Sequence, residues 1–353
     1  GIQSIPVLAQ EAAHVTVFQR TPNYSIPSRN GTMTSDYESE WKDEYRARRG
    51  EMRYAPNGVL REFNDRSAKE VSAEEREATY RKRWEMGGSG FVAAFRDLLT
   101  SQESNDTASE FVRQRIREIV RDPKTAELLA PKDYPIGTKR LCVDTEYFET
   151  YNRDNVDLVD ISGGPIDRMT PDGLVANGEE YAFDSIVFAT GFDAMTGTLF
   201  NVDIRGHEDL ALKEKWEAGP RTYLGLMTAS FPNLFMITGP GSPSVKSNML
   251  TSIEQHVDLV TDSIVHMRDK GLALMEPESD AENEWVDHVQ EVAHKTLFPR
   301  ANSWYMGANI PGKPRLFMPY IAGVGTYRKV CEEVVADGYR GFRFQAETAM
   351  AAD

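Results

Sequence analysis

The residues with the clearest chemical potential form a cationic turn near the start of the chain. Arg20 and Thr21 directly follow Val15–Gln19, a β-branched and aromatic run that predicts a buried strand. In a dinucleotide-binding unit the residue at this place meets the ribose 2′ position, and NAD binders carry an acid there. A guanidinium can instead pair bidentately with a 2′-phosphate, and a hydroxyl adds a donor. The turn therefore favours NADP(H) over NAD(H), with a surface arginine after an ordinary strand as the alternative.

The segment before this strand predicts the second half of a nucleotide-binding turn. Gly1 is followed by an apolar-rich run over residues 2–13 that suits a helix, and the strand comes next. We interpret Gly1 as the third glycine of a G-x-G-x-x-G loop whose earlier members lie outside the sequence.

Three other short segments have residue types suited to a cofactor site. Lys139 and Arg140 form a basic pair in an apolar neighbourhood, and the alternative for them is an ordinary pair at a strand edge. Ala189-Thr190-Gly191 ends a predicted strand with small residues that allow a close backbone approach. The loop 239–244 precedes a long predicted helix, whose N-terminus would favour negative charge.

The surrounding pattern predicts an α/β protein. We expect helices at 37–52, 72–86, 107–121, 248–270 and 281–295, and strands at 156–161, 166–170, 174–175, 185–189 and 231–238. Asp122 predicts the cap of a further short helix, and Gly271 predicts the end of the helix at 248–270. In the helix at 248–270, Ile253, Val257, Val260, Ile264 and Met267 are predicted to face inward. Residues 1–190 would form one domain with a helical insertion at about 36–130, and residues 191–353 a second domain.

Composition excludes several functional classes. The net charge of −15 argues against a nucleic-acid partner, which requires a positive field. A membrane span would need about 18 consecutive apolar residues, and the sequence has no such run. Two widely spaced cysteines suggest no disulfide framework and fit a cytoplasmic location, and six histidines without ligand spacing predict no metal site.

Five motifs, in this order, resemble those of Baeyer–Villiger monooxygenases of the cyclohexanone and phenylacetone monooxygenase group. They are Val17-Phe18-Gln19-Arg20-Thr21-Pro22-Asn23, Tyr134-Pro135-Ile136-Gly137-Thr138-Lys139-Arg140, Ala189-Thr190-Gly191-Phe192-Asp193, Gly239-Pro240-Gly241-Ser242-Pro243-Ser244, and Ser303-Trp304-Tyr305 with Gly307-Ala308-Asn309. Each motif is modest by itself, but together they span nearly the whole chain. The resemblance implies Rossmann-like domains that bind FAD and NADPH, with the N-terminal FAD half missing. We therefore expect the sequence to be part of a longer polypeptide.

The resemblance also implies an activity and its residues. A small ketone, or a sulfide, would react with O2 through a flavin C4a-peroxide, a ketone giving an ester or lactone; no obligate protein partner is evident. Arg140 would be the catalytic arginine, because a cation that never deprotonates stabilises the peroxide and the later oxyanion. The expected cofactor contacts are Gly1, Arg20, Thr21, Lys139, Ala189, Thr190, Gly191, Ser244, Asn248, Met249 and Trp304. We interpret Lys313 and Arg315 as surface charges.

Two other functions stay open at this point. A related flavin monooxygenase that oxygenates nitrogen or sulfur would not need Arg140. A non-catalytic NADP-binding fragment would contain no flavin.

Overall fold

A computed structural model describes residues 1–346, and its contacts divide the chain into two compact units. Unit 1 comprises Gly1–Thr32 and Glu62–Gly191, and unit 2 comprises Met33–Arg61 and the residues from Phe192 onward. The sequence-based division placed residues 33–61 in the first domain. In the structure this segment contacts unit 2, where the Asn248 amide N–H donates to the Asn57 carbonyl at 2.8 Å.

The described chain contains both helices and strands, including a run of consecutive helices over residues 35–129 and a run of consecutive strands over residues 156–182. The helices are α1 (Ile5–Glu11), α2 (Ser35–Asp43), α3 (Tyr45–Met52), α4 (Ala73–Met86), α5 (Gln102–Ile119), α6 (Pro123–Leu129), α7 (Tyr147–Thr150), α8 (Gly197–Phe200), α9 (Leu212–Lys215), α10 (Met249–Lys270), α11 (Ser279–His294) and α12 (Val324–Ala336). The strands are β1 (Val15–Gln19), β2 (Ser25–Pro27), β3 (Cys142–Asp144), β4 (Val156–Asp160), β5 (Ile166–Thr170), β6 (Gly173–Ala176), β7 (Glu179–Ala182), β8 (Leu272–Pro277) and β9 (Phe342–Ala346). Short 3₁₀ turns at Ser244–Lys246 and Trp304–Met306 lie within the later loops.

Parallel strand pairing organises the part of unit 1 that carries the cationic residues. Strand β1 pairs with β4, and β2 pairs with β3 in the register Ser25↔Cys142. In a parallel pair the segments leading into both strands lie at the same edge. The residues before β2 therefore lie beside the residues before β3.

The helical part of unit 1 is held by caps and an aromatic cluster. Ser72 caps α4 by accepting from the Glu75 amide, and Asp122 caps α6 by accepting from the Thr125 amide, as favoured for residues preceding a helix. The Tyr80 ring stacks on Phe91, and Phe91 in turn stacks on Phe111. Because this cluster fixes α4 against α5, the helical segment is a packed part of unit 1.

Unit 2 surrounds an aromatic core under α10, α11 and α12. Trp285, Tyr320 and Tyr327 are buried there, and β8 and β9 form an antiparallel pair beside them. Helix α10 ends at Gly271 in the left-handed conformation, as predicted from its sequence. No helix among residues 1–346 combines the length and apolarity that crossing a membrane demands.

The inward face predicted for α10 is partly wrong. Val257 and Ile264 are 46% and 51% exposed, whereas His256 and Ser263 are fully buried. Hydrogen bonds make this burial possible, because buried polar groups are tolerated only when they are paired. The Ser263 hydroxyl donates to the Leu259 carbonyl at 2.7 Å, for example.

Two predicted strands are absent from the described residues. Residues 185–189 and 231–238 have no strand pairing, and Val187 and Phe188 are 70% and 63% exposed. Apolar composition suggested these strands, but a strand requires a neighbour that satisfies its backbone N–H and C=O groups. Neither segment belongs to a sheet of the described chain, although the Asn233 amide donates to the Met275 carbonyl of β8 at 2.9 Å.

Candidate functional site

The parallel pair β2–β3 brings the two predicted cationic segments of unit 1 together. The Asn23 side-chain amide donates to the Arg140 carbonyl at 3.1 Å, and the Cys142 amide donates to the Tyr24 carbonyl at 3.3 Å. Arg20 and Thr21 lie just before this contact, and both are exposed. The residues before β2 and the residues before β3, which are far apart in sequence, thus lie at the same edge of this strand pair.

Lys139 lies partly buried at this edge, close to a second cation. Burial, followed by the positive charge of Arg20, lowers the pKa of the Lys139 ammonium. The Lys139 Nζ lies over the Tyr134 ring, 4.2 Å from its centroid. Two cations held close together repel each other, so an anion placed between them would be bound favourably.

Arg140 directly follows Lys139 at this edge. Its side chain is exposed, while its backbone carbonyl is fixed by Asn23. An arginine remains charged throughout the working range of pH, so Arg140 supplies a permanent cation at this edge.

Gly1 lies at the beginning of α1, as predicted. Its carbonyl accepts from the Ser4 and Ile5 amides at 2.9 Å each. A methyl group added at Gly1 would meet only Ile5 Cδ1, at 3.9 Å, so the space around this residue is open.

Ala189, Thr190 and Gly191 form an exposed extended segment at the end of unit 1. Gly191 has φ +88°, in the region that glycine adopts at little steric cost. The predicted turn is therefore present, although the predicted strand before it is not.

The loop 239–244 of unit 2 is rigidly held by its neighbours. The Trp285 indole N–H donates to the Gly241 carbonyl at 3.0 Å, and the Gly241 amide donates to the Met318 carbonyl at 2.7 Å. The Tyr320 amide donates to the Ser242 carbonyl at 2.7 Å. Gly241 has φ +87°, and a Cβ there would lie 2.8 Å from Thr222 Oγ1, so a larger residue cannot fit.

The three predicted flavin-side residues follow this loop in order. Ser244 is buried, and its hydroxyl lies 3.8 Å from Met195 Sδ. Asn248 caps α10 by accepting from the Leu250 amide at 3.2 Å, and Met249 begins the helix, partly buried. Ser244 begins the 3₁₀ turn Ser244–Lys246, and α10 begins at Met249, within one residue of the predicted bound.

Trp304 begins a short 3₁₀ turn, and Lys313 follows it in the same loop. The Trp304 ring lies 4.3 Å from that of Tyr305. The prediction that Lys313 is a surface charge is wrong: its side chain is 9% exposed, pairs with Asp193 and donates to the Ala194 carbonyl at 3.0 Å. No local sequence pattern indicated the Lys313–Asp193 pair, because the two residues are far apart along the chain.

A buried histidine is hydrogen-bonded to the segment that leads into the loop 239–244. The Thr238 amide donates to His256 Nδ1 at 3.1 Å, and His256 Nε2 lies 2.7 Å from the Tyr327 hydroxyl. Since the Tyr327 hydroxyl donates to the Leu224 carbonyl, Nε2 must carry the proton that joins it to Tyr327. Burial lowers the pKa of His256 to about 4, so the ring is neutral near pH 7.

Sequence reasoning also missed the contacts of two lysines with aromatic rings. Tyr134 was recognised only as part of a motif, although it contacts Lys139 directly. Lys246 lies over the rings of Phe298 and Tyr305, at 4.2 and 4.8 Å from their centroids. A ring next to a cation is too common in sequences for spacing alone to indicate either contact.

The structure provides a test of whether nucleotide cofactors fit. In unit 1 the paired cations Arg20 and Lys139 match the charge of a 2′-phosphate. In unit 2 the buried hydroxyls of Thr196 and Ser303 have no hydrogen-bond partner among the described residues. A buried unpaired hydroxyl costs about 1–3 kcal/mol, so both positions suit a polar ligand. They adjoin Met195, which contacts Ser244, and Trp304.

Comparison with known proteins finds relatives that match nearly the whole of this chain. The chain is 40% identical over 342 residues to a Baeyer–Villiger monooxygenase of Pseudooceanicola batsensis, covering 96% of this chain and 62% of the relative. It is 37% identical to a cyclohexanone 1,2-monooxygenase of an Acinetobacter species, covering 98% and 64%. A phenazine N-monooxygenase of Lysobacter antibioticus is 36% identical, with 97% and 63% covered. No protein-family model matches the chain.

Solved structures agree with these relatives. A steroid monooxygenase bound to NADP has 47% identity and a TM-score of 0.91, covering 98% of this chain and 65% of that one. The enzyme OTEMO in complex with FAD and NADP has 38% identity and a TM-score of 0.93, covering 98% and 64%. The chain thus spans somewhat less than two thirds of the length of these proteins. The predicted α/β class with Rossmann-like cofactor domains is confirmed.

Proposed function

We propose that this chain, which belongs in sequence and fold to the Baeyer–Villiger monooxygenase family, serves an FAD- and NADPH-dependent oxygenase. The enzyme would insert one oxygen atom from O2 next to the carbonyl of a small ketone, giving an ester or a lactone. Relatives named for this chemistry support the ketone class. The observation that carries the NADPH assignment is the edge of the β2–β3 pair, where Asn23, shortly after Arg20 and Thr21, contacts the Arg140 carbonyl next to Lys139.

Arg20, Thr21 and Lys139 would hold the 2′-phosphate of NADPH. The Arg20 guanidinium can bind two phosphate oxygens at once, whereas the Lys139 ammonium acts as a point charge. A bound phosphate would relieve the repulsion that lowers the pKa of Lys139 and would keep this group protonated. NADH lacks the phosphate and would not gain these contacts.

Arg140 would stabilise negative charge that develops on oxygen during the reaction. FAD, when bound, would supply the chemistry that activates O2. Because the guanidinium does not release its proton, Arg140 would act by charge and hydrogen bonding, not as an acid. The Asn23 contact to its carbonyl fixes the backbone from which the side chain extends.

The remaining predicted residues would bind the cofactors. Ser244, Asn248 and Met249 would lie along the flavin, after a loop whose shape is set by Trp285 and Gly241. Gly1 and the segment Ala189–Gly191 offer open backbone for close approach. The Trp304 indole N–H would donate to NADP+.

Binding of NADPH and NADH to clamp variants tests the proposal. We expect Lys139→Met and Arg20→Ala each to raise the Kd of NADPH roughly tenfold or more, since a charge-assisted hydrogen bond contributes about 1.5–3 kcal/mol. The Kd of NADH should change little. Lys132→Met is the control, because it removes an exposed unit 1 lysine that pairs with Glu127. Equal effects on both dinucleotides would contradict the proposed clamp.

Oxygenation of nitrogen is the second candidate, and the phenazine N-monooxygenase among the relatives favours it. Arg140→Ala separates the two, because ketone oxidation needs a stabilising cation and N-oxygenation does not. Loss of both activities, or of neither, would contradict the role proposed for Arg140. A protein without flavin absorbance and without NADPH oxidation would instead be a non-catalytic nucleotide-binding fragment.

A further inference from the structure

Tyr134 contacts Lys139 of the proposed phosphate clamp and the segment that follows Arg20 and Thr21. Its side chain is buried, with 6% exposure, and its ring lies under the Lys139 ammonium at 4.2 Å. Its hydroxyl lies 2.7 Å from Asn23 Oδ1, to which it donates, and 3.0 Å from the Pro22 carbonyl. The same oxygen accepts from the Tyr24 amide at 3.3 Å. One side chain therefore connects the segment after Arg20-Thr21 with Lys139.

Asn23 completes this connection from the other side. Its Oδ1 accepts from Tyr134, and its Nδ2 donates to the Arg140 carbonyl at 3.1 Å and to Cys142 Sγ at 3.1 Å. Burial raises the pKa of Tyr134 above its ordinary value, so the phenol keeps its proton and remains a donor. The amide orientation of Asn23 is fixed by these partners, because reversing it would place Oδ1 against the Arg140 carbonyl, with two acceptors face to face.

We propose that Tyr134 is the positioning residue that sets the spacing of Arg20 and Lys139, and thereby the preference for nucleotides that carry a 2′-phosphate. This inference rests on the clamp proposed above. The aromatic face attracts the Lys139 ammonium and holds it in one place, as cations prefer the face of a ring. The hydroxyl holds residues 22–24, which follow Arg20 and Thr21, at a fixed distance from that ring.

Two substitutions separate the contributions of ring and hydroxyl. Tyr134→Phe keeps the ring under Lys139 but removes the donor to Asn23, and Tyr134→Leu removes both. Tyr151→Phe is the matched control, since Tyr151 is another buried tyrosine of unit 1, and its hydroxyl pairs with that of Tyr147 at 3.0 Å. Titration with 2′,5′-ADP and with 5′-AMP, followed by calorimetry, measures the discrimination as the ratio of the two Kd values.

We expect the ratio to fall roughly fivefold in Tyr134→Phe and tenfold or more in Tyr134→Leu, and to stay unchanged in Tyr151→Phe. Asn23→Ala provides a second route, because it removes one of the two acceptors of the Tyr134 hydroxyl while leaving the Pro22 carbonyl and the Lys139 contact in place. Its effect should have the same direction as that of Tyr134→Phe and be no larger, and the double variant Asn23→Ala/Tyr134→Phe should lose no more than Tyr134→Phe alone.

The outcomes separate this inference from the proposed function. A wild-type chain that binds 2′,5′-ADP no better than 5′-AMP would overturn the clamp itself. A wild-type preference that survives in Tyr134→Leu and in Asn23→Ala would overturn only the role of Tyr134. Equal weakening of both ligands would also overturn it, because a purely structural role affects the whole nucleotide and not the 2′-phosphate alone.

Discussion

The buried His256 makes the stability of the protein depend on pH between about 6.5 and 4. Its side chain is fully buried, and its pKa is lowered from 6.5 to about 4. The neutral ring accepts from the Thr238 amide and donates to Tyr327, so a proton added at Nδ1 would remove the Thr238 contact. That contact fixes the residue that immediately precedes the loop 239–244.

The magnitude follows from the two pKa values. The unfolded chain takes up a proton near pH 6.5, whereas the folded chain resists it down to about pH 4. The folded state is therefore favoured by this group above pH 6.5, and the advantage is lost as the pH falls through this window. The difference of about 2.5 pH units corresponds to about 3 kcal/mol of unfolding free energy, at 1.36 kcal/mol per unit.

Urea unfolding at pH 7.0 and pH 4.5 measures this contribution. We expect the wild-type protein to lose about 2–3 kcal/mol more than His256→Gln over this interval, because the variant has no imidazole to protonate. Comparing the two proteins cancels the titration of the carboxylates, which both share.

His266→Gln is the matched control. It removes a second histidine from α10, one that lies beside the Tyr339 ring at 4.8 Å. This variant should retain the wild-type dependence on pH. A wild-type protein and a His256→Gln variant that lose the same free energy would refute the assignment of this titration to His256.

Two further predictions concern the segments that would carry the cofactor contacts. Gly241→Ala should destabilise unit 2 by about 2–3 kcal/mol, because Gly241 has φ +87° and its added Cβ would approach Thr222 too closely. The control Gly50→Ala lies in α3 with open space around it and should stabilise the protein by up to about 1 kcal/mol. Thermal unfolding measures both variants, and equal shifts in Tm would contradict the argument. Lys313→Met should speed amide hydrogen exchange over residues 303–312 and lower the free energy of unfolding by about 1–3 kcal/mol, because Asp193 loses its partner. The control Lys295→Met breaks an exposed pair with Glu291 and should lower this free energy by less than about 1 kcal/mol. Unchanged exchange in Lys313→Met would show that the pair does not hold the Trp304 segment.

Local sequence determined the elements whose signals are contained within a few residues. Strand β1 has the predicted bounds, because Val15–Gln19 is a compact β-branched run. Helix α6 begins after the predicted Asp122 cap, and α10 ends at the predicted Gly271. The family resemblance also depends on short contiguous motifs, and the similarity to known monooxygenases confirms it.

The tertiary structure decided which residues meet and which faces are buried. The apolar segment 185–189 suggested a strand, but strand formation depends on a partner, and none of the described residues supplies one. The exposed face of α10 is apolar at Val257, while its buried face contains His256, because hydrogen bonds to Thr238 and Tyr327 compensate for the burial. The sequence could name Arg20 and Lys139 as candidates, but only the parallel pairing of β2 with β3 and the Tyr134 side chain bring them to one edge. Contacts between residues more than 100 positions apart depend on the folded chain path, which local residue patterns do not encode.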